Sequence, residues 1–179
     1  MVSLKAVVKK ISLGLIITIP ITVTITFTPS SSKTINQNVL LRKSAIVTKV
    51  IDGDKIMIIN DGKIDKIRLC GVDAPELNQP LGIQSQANLQ GLVDQGNAEV
   101  LIAPVNRDRF GFMVAEVSIN PNQSHNSKFK DFSYLQIANG MATFDTKFSQ
   151  GCQNMKSIAH IEVKARQQRL GVWNNVLSK

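Results

Sequence analysis

Five side chains in one short stretch are of the right types to do chemistry together: Asp52, Asp54, Arg68, Asp73 and Glu76. All lie in VIDGDKIMIINDGKIDKIRLCGVDAPE, residues 50–76. Carboxylate oxygens suit a hard divalent cation. A guanidinium can hold a phosphate through two parallel hydrogen bonds. A carboxylate left free can take a proton from an attacking water. Each piece also has a plain structural reading. Asp52-Gly53-Asp54 can be a turn. Asp73-Ala74-Pro75-Glu76 can be a strand exit with an acid at a helix start. Arg68 can serve a buried salt bridge. The conjunction, more than any member, points to a cation and a phosphate.

The surrounding residues must bring the two acidic clusters to one edge. Ile56, Ile58, Ile67, Leu69 and Val72 fall in short aliphatic runs of strand type. Asn60-Asp61-Gly62 lies between two such runs and reads as a hairpin turn, since these residues tolerate positive φ. Asp52 and Asp54 then enter the first strand of the hairpin, and Asp73 and Glu76 follow the second. Residues 45–48 form an earlier strand. Residues 84–95 place Ala87, Leu89, Leu92 and Val93 near one helical face, with Gly96 as the stop. Residues 98–103 and 112–119 are further strands, separated by a turn at 107–111. Residues 120–130 are polar and irregular. Residues 132–139 form a short helix closed by Gly140, and 143–151 a loop carrying aromatics. A last helix spans 155–170, ending at Gly171 with Trp173 packing back. The class is α+β and mainly β. Five short strands with about three helices suggest a closed barrel of the oligonucleotide/oligosaccharide-binding (OB-fold) type; an open α+β sheet is the alternative on pattern alone.

A length of 179 residues suits one domain plus an extension, and 43% hydrophobic content suits a packed core. The formal charge of +8 is concentrated in residues 1–43, whose six basic residues face no acid. A basic composition is therefore no argument here for nucleic-acid binding. Lys5, Lys9 and Lys10 precede an uncharged, largely apolar run to residue 32. That is the pattern of an export signal, and the run approaches the ~20 residues that span a bilayer. Pro20, the many threonines and the missing A-x-A site leave open whether residues 1–32 are a cleaved signal or a membrane anchor. Residues 33–43 read as a linker, and 44–179 as the folded domain.

At VIDGD, IRLCGVDAPE, the DRFG turn and the terminal pattern AxxxARxxRLGVW, the sequence resembles the staphylococcal nuclease-like (thermonuclease) family. The resemblance runs from about residue 44 to 173. It implies a five-stranded barrel with three helices, a Ca²⁺ cofactor, and hydrolysis of phosphodiester bonds in DNA or RNA. Carried over by position, Asp54 and Asp73 match the calcium carboxylates, and Ala74 stands where a backbone carbonyl completes the site. Asp52 matches a supporting acid, Glu76 the general base, and Arg68 a phosphate-binding arginine. Phe110 and Phe148 occupy positions where the family presents aromatics to a base.

One departure bears on activity. The family places a second arginine directly after the D-x-[YF]-G turn. Here the turn is Asp108-Arg109-Phe110-Gly111 and the next residue is Phe112. A phenyl ring cannot hold a phosphate or protonate a leaving oxygen. Arg109, or Arg107, is the nearest replacement. The expected function is an exported, monomeric, calcium-dependent nuclease weakened at Phe112. The alternative is a catalytically impaired module that binds nucleic acid. Cys70 and Cys152 are the only cysteines. Export places them in an oxidising compartment, and in the implied fold the loop before the last helix passes near the Cys70 strand. A disulfide is expected; two buried thiols are the alternative.

Overall fold

Alternating aliphatic and polar side chains shape the first three strands of the computed structural model, which describes residues 42–120 and 130–174. The expected export segment, and the linker as far as residue 41, lie outside the described residues, as does most of the polar stretch after residue 120. Strand β1 (Lys43–Val50) buries Ala45, Val47 and Val50, with a register shift after Val47. Strands β2 (Lys55–Asn60) and β3 (Lys63–Leu69) bury Ile56, Ile58, Ile67 and Leu69. Asp61 and Gly62 join them with φ of 48° and 73°. Paired positive φ values match the twist of a two-residue hairpin, as the Asn-Asp-Gly sequence demands.

A two-residue strand β4 (Val72–Asp73) follows, then helix α1 (Gly82–Asp94). Strands β5 (Glu99–Arg107) and β6 (Met113–Ile119) complete the sheet. Five strands close a barrel in the order β1-β2-β3-β6-β5. Antiparallel pairing of β1 with β5 closes it, and β3 runs parallel to β6. The closed barrel settles the architecture against the open sheet. Strand β5 runs four residues past its expected end, and Pro104 is accommodated by a register shift before Asn106.

Helix α2 (Phe132–Ala138) is capped by the Asp131 carboxylate, which accepts from the Tyr134 N–H. Gly140 follows at φ 68°. The expected loop at 143–151 holds more structure than its sequence suggests. Strand β7 (Thr143–Phe144) pairs with β4 in a separate two-stranded sheet, and a 3-10 turn covers Thr146–Phe148. Helix α3 (Met155–Gln167) stops short of residue 170 because Arg169 takes φ 53°. Phe132 and Ile137 of α2 and Ile158 of α3 join the barrel core. Trp173 turns back so that its ring meets the Arg166 guanidinium, 4.0 Å from the centroid.

Candidate functional site

Two segments that the chain keeps apart meet at the open ends of β2 and β3. The first is the Asp52-Gly53-Asp54 loop. Its own hydrogen bond holds it, the Asp54 N–H donating to Asp52 Oδ1 at 3.0 Å. Around it, the Ile51 N–H donates to the Lys55 carbonyl and the Leu69 N–H to the Asp54 carbonyl, both at 2.8 Å. Gly53 is required by packing. A Cβ there would lie 1.8 Å from Ser85 Oγ on α1 and 2.7 Å from the Ala74 Cβ. The loop therefore presses directly on both the helix and the second segment. Fully buried Gln136 of α2 donates from Nε2 to the Gly53 carbonyl and, at 3.1 Å, to the Ser85 carbonyl. Gln136 carried no sequence signal of this role.

The second segment is 73–76. Asp73 pairs with Thr143 across the small sheet, which fixes its backbone. The Glu76 N–H donates to Gln79 Oε1 at 2.9 Å, and the Glu76 carbonyl accepts from the Gln79 N–H at 2.8 Å. Gly82 opens α1 beneath this turn, where any Cβ would lie 1.9 Å from the Glu76 carbonyl oxygen. The loops after β1 and β4 are thus both packed against α1.

The side chains converge. Arg68 Nη2 lies 2.9 Å from Asp54 Oδ2 and 2.8 Å from Asp73 Oδ1. Its guanidinium stacks on the Phe148 ring, 3.7 Å from the centroid, and its buried Nε has no acceptor. Asp54 is fully buried, and its oxygens accept no well-formed hydrogen bond. Asp73 and Glu76 expose about half of their side chains, 52% and 55%. One further participant carries no motif in the sequence. Lys55 Nζ lies 2.8 Å from Asp52 Oδ2, 3.0 Å from Asp54 Oδ1 and 3.1 Å from Glu76 Oε1. The available signal was position: a lysine abuts the D-G-D triplet at the strand start.

Burial pushes the Asp54 carboxyl up to about 7; its contact with Asp52 acts in the same direction, and the charges of Arg68 and Lys55 oppose both. For Lys55, burial works to lower the pKa, but the Asp54 and Asp52 carboxylates outweigh it and raise the pKa above the ordinary lysine value. Lys55 is therefore a firm cation.

The donor set fits a hard divalent ion. Among the described residues, four carboxylates face two side-chain cations, and one of the four is buried without a proper hydrogen-bond donor. Among the described residues, no three acidic, histidine or cysteine side chains converge as closely as a metal cage requires. Three of the carboxylates converge instead on the Lys55 ammonium.

The β5–β6 turn leads into β6, whose Val114 pairs with Arg68 of β3. A pocket of about 550 Å³ lies there, lined by residues that include Arg107, Arg109, Lys147 and Phe148. Arg107 is tied to Asp65, Nη2 to Oδ2 at 2.6 Å, which holds the Asp65 carboxyl below its usual range. The Arg109 guanidinium sits 4.8 Å from the centroid of Phe110, and Phe110 is 64% exposed. Phe112 is half-buried, with Lys66 Nζ 5.8 Å from its ring centroid. Asp52, Asp54, Ala74, Asp73, Glu76 and Arg68 are thus brought together. Phe148 joins them through Arg68, whereas Arg109 and Phe110 stand on the β5–β6 turn.

Cys70 and Cys152 form a disulfide, with Cα atoms 6.1 Å apart. It ties the end of β3 to the segment after Phe148. The Gly71 N–H reinforces this tie by donating to the Phe148 carbonyl at 2.8 Å.

Comparison with known proteins gives a consistent answer. A family model described as "Staphylococcal nuclease homologue" matches residues 66–175. The match takes in Arg68, Asp73 and Glu76 and begins after Asp52 and Asp54. "Protein ParB" of Escherichia coli is 28% identical, over 72% of this chain and 71% of its own. "Micrococcal nuclease" of Shigella flexneri is 27% identical, over 72% of each chain. "Thermonuclease" of Staphylococcus intermedius is 50% identical over 38 residues, 21% of this chain and 23% of its own.

Proposed function

This chain belongs to the staphylococcal nuclease homologue family, and from that premise we propose that it is a calcium-dependent nuclease hydrolysing phosphodiester bonds of DNA, RNA or both. The observation that carries the proposal is the meeting of Asp52, Asp54, Asp73, Glu76 and Arg68 at one edge of the barrel. Asp54 and Asp73 would hold Ca²⁺ with the Ala74 carbonyl, and Asp52 supports the Asp54 loop. When bound, the ion supplies Lewis acidity and a template for the phosphate.

The remaining roles belong to the chain itself. Arg68 is fixed by two carboxylates and the Phe148 ring, which hold its charge at the edge where the phosphate would sit. It stabilises charge that builds on phosphorus. Glu76 is half-exposed and accepts the proton of the attacking water. The water oxygen forms a bond to phosphorus, the bond to the leaving oxygen breaks, and that oxygen takes its proton from solvent water; the products are a phosphomonoester and a hydroxyl. Phe110 and Arg109 grip the strand from the β5–β6 turn, by stacking and charge. The N-terminal segment carries the enzyme out of the cytoplasm, as a soluble or membrane-tethered monomer.

Phe112 favours a second reading. With no arginine at the start of β6, the domain would bind nucleic acid and fail to cut it. A cleavage assay on labelled single-stranded DNA and RNA separates the two. The enzyme reading expects cleavage in Ca²⁺ that stops with chelator. Tight binding without cleavage in Ca²⁺ rejects it in favour of the binding module.

A further inference from the structure

Lys55 has no part in the chemistry above, yet it sits at the centre of the acidic cluster. Its ammonium touches one oxygen each of Asp52, Asp54 and Glu76, all within 3.1 Å. Three oxygens from two separate loops surround this one cation, and Asp54 among them is also a carboxylate assigned to the metal. A tethered single charge thus stands beside a ligand that a free double charge would need. We propose that Lys55 is a built-in counter-ion that competes with the divalent cation, so that metal enters the cluster only as the ammonium leaves it. The inference rests on the calcium reading of the site and adds what sets its affinity.

Four observations support it. First, the backbone of Lys55 is clamped. Its carbonyl accepts from the Ile51 N–H at 2.8 Å, and it pairs with Arg68 across β2 and β3. The residue therefore cannot withdraw as a whole, but its flexible four-carbon stem can swing. Second, the ammonium lies close to solvent. The Lys55 side chain is 11% exposed, and its partner Glu76 is 55% exposed. Third, the two occupants meet at one shared carboxylate, Asp54. It is fully buried and its oxygens lack well-formed hydrogen bonds, so beyond Arg68 its charge is matched by whichever cation lies beside it. Fourth, the contact with Glu76 couples two events. While the ammonium stays, it holds the carboxylate assigned to the attacking water; when it leaves, that carboxylate is released. Entry of metal thereby readies the base.

Calcium titration of the metal-free protein by calorimetry tests the proposal, comparing wild type with Lys55→Met and Lys55→Arg. Methionine keeps the stem and removes the charge; arginine keeps the charge. The expected result is Ca²⁺ binding at least tenfold tighter in Lys55→Met, with Lys55→Arg within about threefold of wild type. Equal affinity in wild type and Lys55→Met overturns the competition and leaves the calcium reading standing. Tightening of Lys55→Arg to the level of Lys55→Met also overturns it, because charge would then not be the cause. Binding by none of the three overturns both readings. A measurement on wild type guards against a misfolded variant. The Lys55 ammonium signal in ¹⁵N–¹H spectra should be visible without metal, protected by its three carboxylates, and vanish at Ca²⁺ saturation. Its persistence at saturation overturns the proposal.

Discussion

The two sides of the candidate groove are built differently. On the acidic side, the buried groups are each fixed by at least two others, while Asp73 and Glu76, among the described residues, each have one side-chain partner and stay half-exposed. Arg68 is held by Asp54, Asp73 and Phe148, and Lys55 by three carboxylates. The loops beneath are pressed together so closely that Gly53 and Gly82 admit no Cβ. On the β5–β6 side, the half-exposed Arg107 is spent on Asp65 and the Gly111 carbonyl, and Arg109, among the described residues, meets a ring that is itself exposed. Chemistry at phosphorus needs groups held within a fraction of an ångström, and close packing supplies that. Gripping a polymer of changing sequence needs reach and tolerance, which an exposed ring and a long basic side chain supply. The first side is a place for reaction, the second a place for contact.

This contrast predicts unequal effects of like substitutions. Arg68→Ala removes a preorganised charge contact and should lower the cleavage rate on the order of 10²–10³. Arg109→Ala should cost tenfold or less, mostly in KM, because its guanidinium is loosely placed. Steady-state kinetics on one oligonucleotide compare them directly; equal losses would erase the distinction between the two sides.

Phe112→Arg should sharpen the contrast from the other side. It places a cation at the start of β6, beside the Asp108 carboxylate that accepts the backbone N–H of residue 112 at 2.9 Å. A rate gain of about 10- to 100-fold is expected, part of what one transition-state contact is worth. No gain would mean that Arg109 or Lys66 already fills that role.

A third prediction asks whether burial alone marks a functional acid. Asp131 is also buried, and burial pushes it up to about 6; the Tyr134 N–H and Asn154 pull it down, and Glu116 adds to the rise. Unlike Asp54, it accepts proper hydrogen bonds, from the Tyr134 N–H at 2.9 Å and Asn154 Nδ2 at 3.4 Å. Its folded pKa lies above the unfolded value of about 3.9. The folded state therefore holds the proton more tightly, and this contribution to stability is full below about pH 4 and lost as pH rises through about 6. Asp131→Asn should flatten that part of the profile in urea unfolding while keeping the helix cap, with cleavage unchanged. A fall in cleavage would show that the two buried acids are not separable.

Much of the barrel is legible in the sequence because it is local. Alternation in 43–69 and the Asn-Asp-Gly turn specify a hairpin without help from distant residues. The acids of the site are legible for the same reason, each lying beside a strand end. What the sequence concealed is long-range. Nothing near Thr143 or Phe144 announces a strand, since its partner β4 is 70 residues away in sequence. Gly53 looks like a turn glycine, and only the approach of Ser85 and Ala74 shows that it is a packing glycine. Lys55 looks like a surface lysine at a strand start until Glu76, from another loop, closes over it. Phe148 likewise reads as a loop aromatic for a base, and its contact with Arg68 emerges only once the disulfide and the Gly71 hydrogen bond place it.

The account depends most on the acidic side being the place of reaction, with Glu76 taking the proton from water. The direct test is single-turnover cleavage of a labelled oligonucleotide in saturating Ca²⁺ by wild type and Glu76→Gln, whose amide keeps the shape and cannot accept the proton. The account predicts a rate lower on the order of 10²–10⁴ for Glu76→Gln, with oligonucleotide affinity within a few-fold of wild type. Equal cleavage rates would contradict it and move the reaction off the Asp52–Glu76 edge.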